Sequence, residues 1–360
     1  MIDYPSRRSR ISSLLAAHNL DALVVFGCEN LRYFAGFTGT SGVLIMTAGQ
    51  TVFLTDSRYV TQAKAQVAAE VVEEYKAQTE GLVVALSRIG AERIGFEETL
   101  AYALVEELKQ KGADGWCWEP VGRELLKARL YKSAHEVAEI SEAARLNAEA
   151  FAEILPLIRP GKSERELALQ LEFALKRRGA EEKAFDFIVA SGERGALPHG
   201  VASDRILCTG ELVTFDFGCR VNGYHSDETL TLALGEPDPE LRNVFDLVLR
   251  AHDRALAAVA PGIALADLDK LAREVIAEAG YGDFFGHGLG HGVGLEVHEA
   301  PTVSPRSTAI AEEGMVFTIE PGIYLPGRGG VRIEDMVLVT ADGYRRLTSL
   351  PKEFRDILES

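Results

Sequence analysis

The chain has 360 residues, 47% hydrophobic and 26% charged, which is too long for one ordinary core and too apolar for a disordered polymer. Lys and Arg number 38 against 54 Asp and Glu, and the resulting net charge of −16 argues against a broad nucleic-acid surface or a grip on anionic lipid. Four cysteines without a CxxC pair speak against a disulfide framework or a zinc ribbon, and no apolar run approaches the ~20 residues of a membrane span, so a cytoplasmic protein is expected.

In chain order, Asp21–Gly27, Gly42–Thr47 and Thr51–Thr55 are short apolar runs of the kind that form buried strands. Asp56 is placed to cap a helix from Tyr59 to Glu70, and Glu97–Lys111 repeats apolar residues at helical spacing. Together these elements predict an α/β unit over residues 1–127. Turn-rich Gly112–Gly115 and Pro120–Gly122 follow, then a basic stretch, and Ser133 opens a long amphipathic helix in a second unit, residues 128–360.

That second unit contains an internal repeat. Pro160-Gly161, Leu167 and Gly179 recur as Pro261-Gly262, Leu268 and Gly280, at a constant offset of 101 residues. Each half reads as a long helix ending at Pro-Gly, a second helix closed by Gly, then a loop with Gly and His leading into strands. His199 and His298 nearly keep the offset. Two such halves related by a pseudo-two-fold axis would face their strand pairs across a shared cleft.

Each half then offers two acids. Asp216 lies between Phe215 and Phe217 on a strand and Asp227 follows a turn at Asn222-Gly223; Glu320 ends the apolar run Met315–Ile319 and Glu334 follows a Gly-rich loop. Four ionised carboxylates crowded into a cleft of low dielectric would repel strongly unless cations or protons neutralised them. Two divalent ions answer the −4 charge with +4 and lower the pKa of bound water. The loop Gly286–Gly294 supplies imidazole nitrogen, while its glycines break the GxGxxG spacing of a dinucleotide site. An oxygen-rich donor set favours manganese, with cobalt or zinc as alternatives. His225 and His252 are expected to be structural, and Cys208 and Cys219 to be small apolar strand residues.

Phe215-Asp216-Phe-Gly218, Asn222-Gly-Tyr224, Ser226-Asp227, Gly288–Glu299, Glu320-Pro-Gly322 and Arg332-Ile-Glu334 resemble the pita-bread metallopeptidases: methionine aminopeptidases, Xaa-Pro aminopeptidases and Xaa-Pro dipeptidases (prolidases). The resemblance implies an α/β (α+β) architecture, with a creatinase-type N-terminal domain ahead of a duplicated pita-bread catalytic domain. By it, Asp216, Asp227, His291, Glu320 and Glu334 are the ligands of two divalent metal ions, and His199 and His298 are histidines that face the substrate. Glu320 is placed to carry the proton of the attacking water to the departing prolyl nitrogen, and Arg332 to orient Glu334 or neutralise charge beside it.

Asn30–Gly39 and Phe53–Tyr59 are similar to the creatinase/prolidase N-terminal domain, which points to cleavage before proline. Many dipeptidases carry an arginine shortly after the His-Glu pair, whereas here Ala300-Pro301-Thr302 follows Glu299, and the expected activity is therefore that of an Xaa-Pro aminopeptidase on short peptides with proline second. The alternative is an Xaa-Pro dipeptidase, with Arg58, Arg306 or Arg328 as substitute cations. Retention of all five ligand residues argues against a metal-free creatinase and against a noncatalytic pita-bread binding protein. The resemblance also implies a homodimer, in which Tyr33, Phe34 and Arg58 are candidates to reach the neighbouring cleft.

Overall fold

Six short strands in residues 1–129 pair into one mixed sheet, ordered Val71–Glu74, Thr51–Thr55, Val43–Met46, Ala22–Val25, Arg93–Phe96, Cys117–Pro120. The central Ala22–Val25 strand runs antiparallel to Val43–Met46 and parallel to Arg93–Phe96. All four of its residues are fully buried, because helices cover the sheet and an uninterrupted apolar run suits a strand covered on both faces. The computed structural model describes residues 2–358 and divides into two compact units, Met1–Arg129 and Leu130–Ser360.

Two features of the first unit differ from the sequence reading. Asp56 caps no helix; its carboxylate accepts from the Arg58 backbone N–H at 2.9 Å and pairs with the Arg58 guanidinium, and the helix runs only over Val60–Gln66. The β-branched Val71-Val72 beyond it joins the sheet beside Thr51–Thr55 instead of extending the helix. The second helix starts at Tyr102, not Glu97. Glu97 is buried and accepts from Gly27 N at 2.9 Å and Asn30 Nδ2 at 2.5 Å, which satisfies donors at the start of the Cys28–Ala35 helix, whose own N-cap, Gly27, has no side chain. Tyr33 and Phe34 are buried within this unit, so neither is presented to a neighbouring chain.

In the second unit the repeat is visible in the backbone. Ser133 and Ser163 each close a capping box at the start of Ala134–Ile154 and Glu164–Arg177. Pro239–Ala257 and Leu265–Glu278 are the corresponding helices of the second half. Gly161 and Gly262 share φ = 91°, and their N–H groups donate to Leu207 O at 3.0 Å and Ala311 O at 2.8 Å. The first half forms an antiparallel sheet in the order Glu228–Leu234, Glu211–Phe217, Ile188–Ser191. The second half forms a five-stranded sheet in the order Glu299–Val303, Gly290–Gly292, Val316–Ile319, Asp335–Thr340, Gly343–Arg346.

Strand alternation decides what reaches the cleft. Phe215 and Phe217 turn toward the helices, where Phe217 stacks on Phe151 at 5.4 Å between ring centroids, and Asp216 therefore points the other way. Cys219 is a buried strand residue as expected, whereas Cys208 is exposed and lies outside any strand, in the approach to the Gly210 turn. Among the described residues no helix is long and apolar enough to cross a membrane.

Neither Gly161 nor Gly262 has a heavy atom within 4 Å of where a Cβ would stand, so alanine there meets only the left-handed backbone penalty. Gly161→Ala and Gly262→Ala should each cost about 1–2 kcal/mol in urea unfolding, equal within error, as equivalent turns of a duplicated fold.

Candidate active site

His199, Asp216, Asp227, His291, His298, Glu320, Arg332 and Glu334 line a single cavity of about 900 Å³ within residues 130–360. The two strand pairs carry the acids to it. Asp216 lies opposite Thr229 in the ladder of the first half, and Asp227 directly precedes the partner strand. Glu320 follows Val316–Ile319 and is held by its N–H to Leu289 O at 2.8 Å; Glu334 precedes Asp335–Thr340 and donates its N–H to Thr229 O at 3.1 Å. That last bond joins the two halves at the floor of the cleft.

His291 sits on the three-residue strand Gly290–Gly292, flanked by Glu299–Val303 and Val316–Ile319. Glycine is required on both sides of it, since a Cβ at Gly290 would lie 2.0 Å from Thr318 O and one at Gly292 2.1 Å from Ala300 O. The His291 ring places Nδ1 3.1 Å from Gly292 O and Nε2 3.2 Å from Glu320 and 3.6 Å from Asp227. Asp227, His291 and Glu334 each offer one ligand-type atom within 4.8 Å of the others. The His298 ring lies 4.1 Å from that of His291, centroid to centroid.

Of the two roles expected of Arg332, orienting Glu334 or neutralising charge, its contacts are those of the second. Its Nη2 donates to Asp216 Oδ2 at 2.5 Å rather than to Glu334, whose Oε2 instead accepts from Thr229 Oγ1 at 2.7 Å. Arg332 closes the Gly329–Arg332 strand, where its backbone pairs with Gly322, while Glu334 lies beyond that strand and is drawn to the other half. Arg332 Nη1 also donates to Tyr324 Oη at 2.9 Å and to Pro198 O at 3.2 Å, which steadies the loop that bears His199. Tyr324 Oη in turn lies 2.8 Å from His287 Nε2. Tyr324 and His287 both line the cavity; His287 is the second imidazole of the Gly286–Gly294 loop and was given no role of its own, and Tyr324 was not singled out from sequence. His225 bonds to Gly294 O and His252 is buried against Asp335, so both are structural as expected.

Burial pushes Asp216 above the usual carboxylate range, opposed by Arg332. It pushes Asp227 and Glu334 well above, and neighbouring negative charges, Glu334 on Asp227 and Glu320 on Glu334, add to the rise. Glu320 goes the other way: burial acts upward, but the bond to His291 and its charge bring the carboxyl down to about 2. His291 is raised, the downward pull of burial being outweighed by Glu320. Burial, with the charge of His291, lowers His298 and keeps it neutral. Without metal, the chain thus offsets four acids with protons, one imidazolium and one guanidinium. Asp216 Oδ1 is buried without a hydrogen-bond partner, a lone pair set that a cation would satisfy. One imidazole with four carboxylates suits a hard divalent cation.

Residues 138–341 match Metallopeptidase family M24, and residues 7–130 match the Creatinase/Prolidase N-terminal domain. The chain is 40% identical to the Xaa-Pro dipeptidase of Pyrococcus horikoshii over 96% of its own length and 97% of the relative's. A solved Xaa-Pro dipeptidase from Bacillus anthracis superposes with a TM-score of 0.95 at 40% identity, covering 98% of this chain and 99% of that one. An X-Pro aminopeptidase from Thermotoga maritima superposes at 0.88 with 37% identity, covering 97% and 99%.

The electrostatics set a pH dependence for the chelated protein. Asp227 and Glu334 hold protons more tightly folded than unfolded, so their stabilisation is full below about pH 4 and is lost as pH rises through their raised values. His291, also raised, acts in the same direction above about pH 6.5. Glu320 stabilises above its unfolded value and loses that only as pH falls toward about 2. The melting temperature of chelated protein should therefore fall between about pH 5 and pH 8, less steeply in Asp227→Asn. Added divalent metal should raise it more at pH 8 than at pH 5 in a thermal-shift titration.

Proposed function

The chain belongs to metallopeptidase family M24, and on that premise we propose that it is an Xaa-Pro dipeptidase that hydrolyses the bond before proline with divalent metal. The observation that carries this reading is the convergence of Asp216, Asp227, His291, Glu320 and Glu334 on one cavity also lined by His199 and His298. On this reading those five residues hold two ions, manganese being the best match to an oxygen-rich set. Bound ions would supply Lewis acidity toward the scissile carbonyl and would lower the pKa of a water.

The remaining work falls to the chain. Glu320 takes the proton of the attacking water on its carboxylate and delivers it to the prolyl nitrogen, which otherwise departs as a poor anion. Neutral His298, with His199, donates an N–H to the substrate carbonyl as negative charge develops there, a contribution of about 3 kcal/mol for a well-aimed donor. Arg332 favours the ionised form of Asp216 against the upward pull of burial and fixes the Pro198-His199 loop. The apolar surfaces of Phe185, Ile188 and Phe284 on the cavity wall receive the prolyl ring, and Asp227 or a nearby acid of the cavity takes the substrate amine.

The relatives favour the dipeptidase over the aminopeptidase expected from Ala300-Pro301-Thr302. The aminopeptidase remains the second reading, supported by Thr302 on the cavity wall where an arginine would hold a dipeptide carboxylate, and by likeness to the Thermotoga maritima enzyme. Four free cysteines, three of them exposed, suit a reducing cytoplasm, and family resemblance supports a homodimer.

Assayed with manganese, Xaa-Pro dipeptides should give a higher kcat/KM than matching Xaa-Pro-Yaa tripeptides; the reverse order would install the aminopeptidase reading. Glu320→Gln should lower kcat by about 10²–10⁴-fold with unchanged circular dichroism, and near-normal turnover would remove Glu320 from the proton path. His298→Ala should cut turnover by about 10²-fold while metal content per chain stays near that of the wild type.

A further inference from the structure

Each half places a second acid immediately after a cavity acid: Glu228 follows Asp227, and Asp335 follows Glu334. Consecutive residues entering a strand project to opposite sides, so Asp227 and Glu334 line the cavity while Glu228 and Asp335 are turned behind it. Both rear acids are fully buried. Their charge is met by the C-terminal segment. Lys352, itself 5% exposed, brings Nζ to 2.8 Å from Glu228 and 3.6 Å from Asp335, and donates toward Thr229 O at 3.4 Å. Leu350 N donates to Glu228 at 3.1 Å and Thr348 Oγ1 to Asp335 at 2.5 Å, with His252 Nε2 3.2 Å and Arg346 Nη1 3.4 Å from Asp335.

A buried ion pair of this kind is a poor source of net stability, because desolvating the charges offsets much of their attraction and apolar residues of similar volume often do as well. What this one supplies is position. Asp227 leads into the three-stranded sheet and Glu334 into the five-stranded one, and no strand ladder joins those two sheets among the described residues. One ammonium shared by an acid from each sheet, directly behind the two cavity acids, adds a second tie between segments already joined by the Glu334 N–H to Thr229 O bond, and so helps set their separation at that point.

We propose that Lys352 is a positioning residue for the metal site, holding Asp227 and Glu334 at ligand spacing through Glu228 and Asp335. The inference rests on the reading of Asp227 and Glu334 as metal ligands. It makes divalent-cation affinity depend on a C-terminal segment that does not line the cavity.

The test is isothermal titration of manganese into the metal-stripped full-length protein. Lys352→Met should weaken affinity about 10- to 100-fold, and Lys352→Arg should recover most of the loss. Because the methionine variant leaves an uncompensated buried acid, a Glu228→Gln/Lys352→Met double variant carries the test if the single one does not fold. It should melt cooperatively with native circular dichroism and still bind manganese weakly. Wild-type affinity in the folded double variant overturns the proposal, and so does an arginine variant as weak as the methionine one. Asp227→Asn separates the premise from the inference: it should abolish tight binding of at least one ion, and unchanged binding there overturns the ligand assignment itself.

Discussion

Four carboxylates converge on one cavity, and their mutual repulsion governs the rest of the second unit. At low dielectric, like charges a few ångströms apart cannot all remain ionised unless cations intervene. The chain supplies two cations of its own. Arg332 takes Asp216, and His291 takes Glu320 and leans toward Asp227. Asp227 and Glu334 are left with the greatest tendency to hold protons, and with His291 they bring ligand-type atoms within 4.8 Å of one another. Proton retention and cation affinity are two expressions of the same unbalanced field.

The duplication explains how such a cluster is built from ordinary parts. In each half an apolar strand buries one face against helices, so any acid on its other face is delivered to the cleft with no special backbone. The halves then diverge. The second alone carries the glycine-flanked strand of His291, whose close approach to Thr318 and Ala300 excludes any Cβ beside it. A symmetrical arrangement of acids is thereby given one nitrogen donor on one side, which distinguishes the two acid pairs: Glu320 is held ionised by imidazole, whereas guanidinium only opposes the upward pull of burial on Asp216.

Much of this was legible in the sequence because it follows from local pattern. The strands around Asp216 and Glu320, the Ser133 helix start and the offset between Pro160-Gly161 and Pro261-Gly262 depend on neighbours a few residues away, and each is present where periodicity placed it. Eight of the residues that line the cavity were legible through motifs. What pattern missed were partnerships between distant segments. Glu97 looked like the start of a helix and instead serves the start of another, 67 residues away at Asn30. Arg332 was expected to orient Glu334 or to neutralise charge, but nothing local showed that the charge it meets is that of Asp216, 116 residues away. Lys352 gave no signal at all, since a lone lysine near a chain end is ordinarily solvated and only the packing of both sheets makes it a buried counter-ion.

Thr302 brings the same issue to substrate choice. It pairs with His291 across the ladder, which sets it on the cavity wall beside the imidazoles. A threonine hydroxyl offers one neutral donor, where a guanidinium would offer two parallel N–H bonds and a full charge to a carboxylate. Arg332 does not substitute for it, being already committed to Asp216, Tyr324 and Pro198. On the dipeptidase reading, with His199 and His298 serving the scissile carbonyl, a free prolyl carboxylate in this cavity is left with hydroxyl donors such as Thr302 and Ser304. Such contacts are weaker and less directional than a bidentate ion pair.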